Sequence, residues 1–187
     1  MFKNILVAVD GTSTSQRGLK VAVDLALDQK ATLHVVHVVD DMTFVPMEIP
    51  YAQAAYIKSM AEGLRETGRK LLGKAESFAR ERDVEVRIAL TASKGYGVAA
   101  ALLREAKRRK ADVIVLGTHG RRGLRRLLLG SDAEMVLREA QVPVLLVRSP
   151  EPAAAKRSAA TTKPAGRAPR RGTATRKASP VARADLG

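Results

Sequence analysis

The stretch from Gly117 to Ser131 carries the most concentrated chemistry in the chain. Gly117-Thr-His-Gly120 is followed by Arg121, Arg122, Arg125 and Arg126 and then by Gly130-Ser131, with no acid among them. Glycine lets backbone approach a ligand closely or take positive φ. A helix opening near Ser131 would offer unpaired N–H groups and the positive end of its dipole to an anion. Four guanidinium groups add a field that favours a polyanion. Together these residues describe a phosphate cradle, although the same letters also describe a turn with solvated arginines and Ser131 as a helix cap. The pattern G-x-x-x-x-G-K-[ST] is absent, as is G-x-G-x-x-G after the first strand, which excludes a P-loop NTPase and an ordinary dinucleotide site.

A second candidate is Asp10, directly after the aliphatic run Ile5-Leu-Val-Ala-Val9. A carboxylate accepts two hydrogen bonds and suits ribose hydroxyls, whereas beside a phosphate it repels. Asp10 is therefore expected away from any triphosphate; its alternative role is an Asx-turn or cap for a helix beginning near Ser13. His34 and His37 stand three apart in a strand and so point to opposite faces, which opposes a shared metal and assigns them structural roles. His119 either bonds phosphate, acts as an acid or is a satisfied turn histidine. No nucleophile-elbow sequence or oriented triad is present, and nothing supplies an obvious positioned water or acceptor for phosphoryl transfer. Slow or absent turnover is expected. The chain has no Cys, which removes disulfide scaffolds, zinc ribbons and thiol nucleophiles and permits a reducing cytosol.

The elements that must position these groups alternate in period. Ile5–Val9, Leu33–Val39, Val113–Leu116 and Val144–Val147 are short, aliphatic and largely non-alternating, as expected of parallel strands covered on both faces. Val84, Val86, Ile88 and Leu90 alternate with polar or small residues and read as a strand nearer a sheet edge. Between the strands, apolar residues recur at helical spacing: Leu19, Ala22, Val23, Ala26 and Leu27; Leu71, Leu72, Ala75, Phe78 and Ala79. The spacing continues at Val98, Ala101, Leu102 and Ala106, then at Ala133, Val136, Leu137 and Ala140. This order predicts an α/β fold, a doubly wound five-stranded parallel sheet with helices on both faces. Residues 41–60, with Pro46 and Pro50, read as a long irregular connection, either a lid or a surface loop packed by its own Met and Tyr side chains.

Charge divides the chain. Of 187 residues, 33 are Lys or Arg and 19 are Asp or Glu, a net charge of +14. Nine of the basic residues fall between Glu151 and Gly187 against two acids, in a tract of Ala, Pro, Thr, Ser and Gly whose only larger aliphatic groups are Val181 and Leu186. So little apolar area cannot offset the entropy of ordering the chain. The reading is therefore a domain at 1–150 and a disordered basic tail at 151–187. Such a tail attracts nucleic acid or other polyanions without sequence preference and in a salt-sensitive way, or simply solubilises; it lacks aromatic platforms for single-strand reading. No apolar run approaches the roughly 18 to 20 residues of a membrane span, and the N-terminal apolar stretch is too short for a secretory signal, so no membrane insertion and a cytoplasmic location are expected.

The spacing Gly117-x2-Gly120-x9-Gly130-Ser131 reproduces the G-x2-G-x9-G-[ST] nucleotide motif of the universal stress protein family. Ile5-Leu-Val-Ala-Val-Asp-Gly11, the Leu33–Val39 strand before Asp40, Ala111-Asp-Val-Ile-Val-Leu-Gly117 and Val142-Pro-Val-Leu-Leu-Val-Arg148 resemble its other landmarks. The resemblance spans about residues 1–149. It implies strand order 3-2-1-4-5 and ATP, with Mg2+, held between the first and fourth strand ends. By similarity, Asp10 would lie at the adenosine end and Val38 would contact adenine. Gly117, Thr118, His119 and Gly120 would pass along the ribose and phosphates. Gly130, Ser131 and the backbone that follows at Asp132 would hold the terminal phosphates.

The chain departs from the family pattern in two places. Asp132 stands where an aliphatic or small residue is usual, so an acid faces the incoming phosphate unless Mg2+ or arginine neutralises it. Thr91-Ala-Ser-Lys-Gly-Tyr-Gly97 is more glycine-rich than the usual turn. The implied function is an ATP-binding regulatory module of the stress response, homodimeric through the Val144–Val147 edge strand. The alternatives are a weak ATPase or a non-nucleotide dimeric scaffold.

Overall fold

A computed structural model describes residues 1–40, 51–118 and 129–148, and of 51–55 the backbone only. Five strands, β1 (Asn4–Ala8), β2 (Thr32–Val39), β3 (Val86–Ala92), β4 (Val113–Gly117) and β5 (Val144–Val147), form one sheet in the order β3-β2-β1-β4-β5, with every neighbouring pair parallel. The helices are α1 (Ser13–Gln29), α2 (Tyr51–Arg80), α3 (Gly97–Arg108) and α4 (Ser131–Glu139). The predicted fold class and strand order are those observed.

The sheet separates two apolar layers. On one face Ile5, Val7, Leu33, Val35, Val113 and Val115 pack under α1 and α2; on the other Leu6, Val36, Ile114 and Leu116 pack under α3 and α4. Because side chains alternate along a strand, both parities of β1, β2 and β4 carry apolar residues, which is why β1 and β4 read as aliphatic runs and β2 as one interrupted by His34 and His37. β3 sits at an edge, as its alternation predicts, but Ile88 is 38 % exposed and interrupts the expected inward row. Two helical stripes are narrower than expected. Leu27 (52 % exposed) and Leu137 (48 %) lie at the margins of the lines 19/22/23/26 and 133/136/140 that face the sheet.

The reading of 41–60 as irregular is corrected in its second half, where α2 is already helical from Tyr51. Tyr51–Met60 holds mostly good helix formers, Ala, Gln, Lys and Met among them, and no proline. The rest of the segment read as a lid or packed surface loop, 41–50, lies outside the described residues, as does the tail at 151–187. The glycines of Thr91–Gly97 have a backbone explanation. Gly95 and Gly97 take φ of 79° and 84°, and Lys94 also lies in the left-handed region, so the chain turns sharply from β3 into α3. Ser93, fully buried, donates its N–H to the Val39 carbonyl and its hydroxyl to Asp40, closing the ends of β2 and β3.

Candidate functional site

β1 has β2 on one side and β4 on the other, so the connections leaving β1 and β4 run to opposite faces and leave a crevice at their carboxyl ends. Register brings the named residues to this crevice. Val7 stands opposite Val115, so Val9-Asp10 is level with Gly117-Thr118. The Val9 N–H bonds the Val36 carbonyl at 2.9 Å and Ala8 stands opposite Val36, which sets Val38 level with Asp10 on the β2 side. Val38 is half-buried on the α3/α4 face, opposite Thr91.

Asp10 makes the Asx-turn that was its alternative reading. Its Oδ1 accepts the Thr12 N–H at 2.9 Å and the Thr12 hydroxyl at 2.7 Å. Thr12 in turn caps α1 by accepting the Ser15 N–H, and Ser15 Oγ donates to the Thr12 carbonyl and accepts the Asp10 N–H. The carboxylate is thereby fixed in orientation at the crevice. Ser15, buried, was missed in the sequence; the spacing Thr12-x-x-Ser15 at a helix start was the available sign.

Gly117 owes its missing side chain to α1. A Cβ there would lie 3.0 Å from Thr14 Cγ2 and 3.2 Å from the Ser15 backbone nitrogen, so the helix could not approach β4 so closely. Neither Gly117 nor Gly130 takes positive φ; Gly130 has φ −62° and ψ 144°. Of the two uses left open for these glycines, close approach or positive φ, the second is not taken at either: an extended backbone suffices at Gly130 and helix packing fixes Gly117.

Thr118 is buried, its N–H bonded to the Val147 carbonyl at 3.0 Å and its carbonyl accepting the Gly130 N–H at 2.9 Å. That second bond pins the start of α4 beside the end of β4 regardless of the intervening chain. His119 and Gly120, with the arginines that follow, lie outside the described residues. Gly130 is the N-cap of α4 and makes no side-chain cap bond. The amides of the first turn at Ser131, Asp132 and Ala133 have no acceptor within the helix, so α4 opens into the crevice with its donors and positive dipole end available to an anion. Opposing this, Asp132 and also Glu134, which the sequence reading had not weighed, place two carboxylates in the same turn. Both stabilise the helix end and compete with an external anion.

The two remaining histidines face opposite sides of the sheet. His37, buried, donates from Nδ1 to the Val9 carbonyl at 2.6 Å, with Gly68 of α2 directly above it; a Cβ at Gly68 would sit 2.7 Å from its ring. His34, at the amino end of the sheet, bonds Asn4 Oδ1 through Nε2 at 3.2 Å and accepts from Arg109 at Nδ1 at 3.0 Å. Burial, then the positive charge of Arg109, lowers its pKa to about 4, so the ring is neutral at pH 7 and the tautomer follows from its partners.

A five-stranded parallel sheet in this order, with a helix N-terminus at its switch point, defines an open, doubly wound α/β protein whose ligand crevice lies between β1 and β4. Residues 1–148 match the model of the universal stress protein family, and the chain belongs to that family. A universal stress protein of Methanocaldococcus jannaschii is 35 % identical over 152 residues, 81 % of this chain and 85 % of that protein. Among solved structures, a universal stress protein family member from Burkholderia pseudomallei is 34 % identical with a TM-score of 0.63, covering 79 % of this chain and 96 % of that one. The Archaeoglobus fulgidus universal stress protein solved in complex with dAMP shares the fold at 22 % identity and TM-score 0.55, covering 78 % of this chain and 97 % of its own. Among the described residues no helix is long and apolar enough to cross a membrane.

Proposed function

We propose that this chain is an ATP-binding regulatory module that holds the nucleotide, with Mg2+, in the crevice between β1 and β4 and turns it over slowly or not at all. The observation that carries this reading is the start of α4: a helix capped by glycine without a side-chain bond, fastened to Thr118 at the switch point. Family membership and the dAMP complex of the Archaeoglobus protein support an adenine nucleotide as its occupant. In this reading Asp10, already oriented by Thr12, offers its carboxylate to ribose, and Val38 meets the base. Gly117, Thr118, His119 and Gly120 line the path to the phosphates, and the amides from Gly130 through Ser131 to Asp132 hold the terminal ones. A bound Mg2+ would neutralise phosphate charge beside the Asp132 and Glu134 carboxylates.

Calorimetry of the full chain with ATP and Mg2+ tests the reading. One nucleotide per chain is expected, with the heat lost in Gly130→Val. Because the tail itself attracts anions, the same titration after deletion of residues 151–187 must still show binding. Multiple-turnover phosphate release that disappears in Ser131→Ala would instead establish the weak ATPase.

The homodimer through β5 belongs to the same proposal. β5 is an edge strand, Leu145 on it is 38 % exposed, and an unpaired aliphatic edge is relieved by pairing with a second copy. A monomeric mass by light scattering at micromolar concentration would refute it. The domain limit near residue 150, the cytoplasmic location and contact of the basic tail with nucleic acid complete the proposal. Retention on heparin at low salt that survives loss of the tail would remove that last role.

A further inference from the structure

α1 and α2 lie side by side on one face of the sheet and leave between them a cleft of about 840 Å3. This falls within the range of roughly 300 to 1,000 Å3 typical of small-molecule sites. Its apolar lining comes from three elements: Val9 beyond β1, Leu19 on α1 and Ala75 on α2 form a floor buried in the core, and Leu71 and Phe78 on α2 stand partly exposed above it. Around it stand Arg17 and Lys20 from α1 and Lys74 from α2, opposed by one acid, Asp24. All four are exposed, and none makes an ion pair among the described residues, although Lys20 and Asp24 are spaced for one. Three cations held by two different helices around one apolar wall are thus left with charge to spare.

We propose that this cleft binds an amphiphilic monoanion, an acyl carboxylate with a chain of about a dozen carbons. The hydrocarbon covers Leu71 and Phe78, the partly exposed members of the lining, and removes them from water. The carboxylate meets Arg17 and Lys74, whose long stems leave their charges free to converge on it. A cationic amphiphile meets the same wall but is repelled by the rim, and a short carboxylate meets the rim without the wall. The nucleotide proposed above belongs to the β1/β4 crevice, which the cleft adjoins at Val9 and Ser15, while the cationic rim of the cleft stands on α1 and α2.

Titration of the full chain with sodium dodecanoate below its micellar concentration tests this, beside butyrate and dodecyltrimethylammonium. One dodecanoate per chain is expected. The double variant Arg17→Glu/Lys74→Glu, confined to exposed positions, should weaken it by about tenfold or more, since two attractions become repulsions. Lys107→Glu on the distant α3 should leave it unchanged. Absence of dodecanoate binding overturns the proposal. So do equal affinity for butyrate or for the cationic amphiphile, indifference to the double variant, and an equal loss in Lys107→Glu. Displacement by ATP with Mg2+ would show a shared site and overturn the separate cleft.

Discussion

The two ends of the sheet are built on opposite plans. At the amino ends of the strands, polar groups are closed upon one another. Asp112 Oδ2 accepts the N–H groups of Lys3 and Asn4 at 2.6 and 2.8 Å, tying the start of β4 to the start of β1. Asn4 bonds His34, His34 accepts from Arg109, and Arg109 reaches Glu105 at 3.0 Å. At the carboxyl ends, between β1 and β4, α4 begins on a glycine that supplies no cap. A helix start without a cap forgoes about 0.5 to 2 kcal/mol relative to a good one when the comparison is Ala, and only a few tenths when it is Gly. Glycine therefore leaves the amides open at little cost to the fold. The comparison teaches that the amino end closes its polar groups on one another, whereas the carboxyl end, which also ties Asp10 to Thr12 and Ser93 to Asp40, leaves the first-turn amides of α4 without a side-chain cap as donors for a ligand.

The contrast is open to direct attack. The largest effect is expected from Gly130→Asp, whose carboxylate would cap α4 from within. Binding of ATP should fall by at least about tenfold, through occupied amides and added negative charge, while thermal unfolding shifts little or upward. Calorimetry and a melting curve on one variant thus separate ligand donors from stability.

Arg109→Ala attacks the other end. It strips Nδ1 of buried His34 of its donor and leaves Glu105 to Arg108 alone, and it should cost about 1 to 3 kcal/mol in urea unfolding with nucleotide affinity unchanged. Gly117→Ala sits between the two plans. Its Cβ would crowd Thr14 and Ser15, so about 1 to 3 kcal/mol of overpacking is expected together with weaker binding, because the α1 start that orients Asp10 must shift.

The pH dependence follows the amino end. His34 is neutral in the fold with a pKa of about 4 against an ordinary value of 6.5, so the unfolded chain binds the proton more readily. The stabilisation is fully present above pH 6.5 and is lost progressively as pH falls from there toward 4. Asp112, held low by the two backbone N–H groups, adds a loss below the ordinary carboxylate range. Urea unfolding midpoints measured from pH 7 to 4.5 should decline in the native chain and decline less in His34→Gln.

The smallest effect is that of Asp132→Asn, which should tighten ATP by about two- to fivefold by removing one repulsion at the helix start. No change on titration would place the triphosphate elsewhere.

Much of this was legible along the chain. Short, largely non-alternating aliphatic runs of four to seven residues read as strands buried on both faces, and their spacing by helical stripes pointed to a doubly wound sheet. The glycine spacing around Gly117 and Gly130, next to a helix start, marked the crevice by local chemistry alone. The reasons behind those residues were not local. Gly117 reads as a ligand glycine until α1, a hundred residues earlier, is laid against it, and Asp10 reads as free until Thr12 and Ser15 turn back onto it. The partners of His34, Asn4 and Arg109, come from two distant places in the sequence, so neither its neutral state nor the Arg109–Glu105 brace could be read in advance. The same holds for the cleft between α1 and α2, whose wall and rim meet only when two helices settle on one face. Periodicity and backbone preference act over a few residues and are written in the sequence; close approach, burial and charge convergence depend on which distant segments the fold brings together.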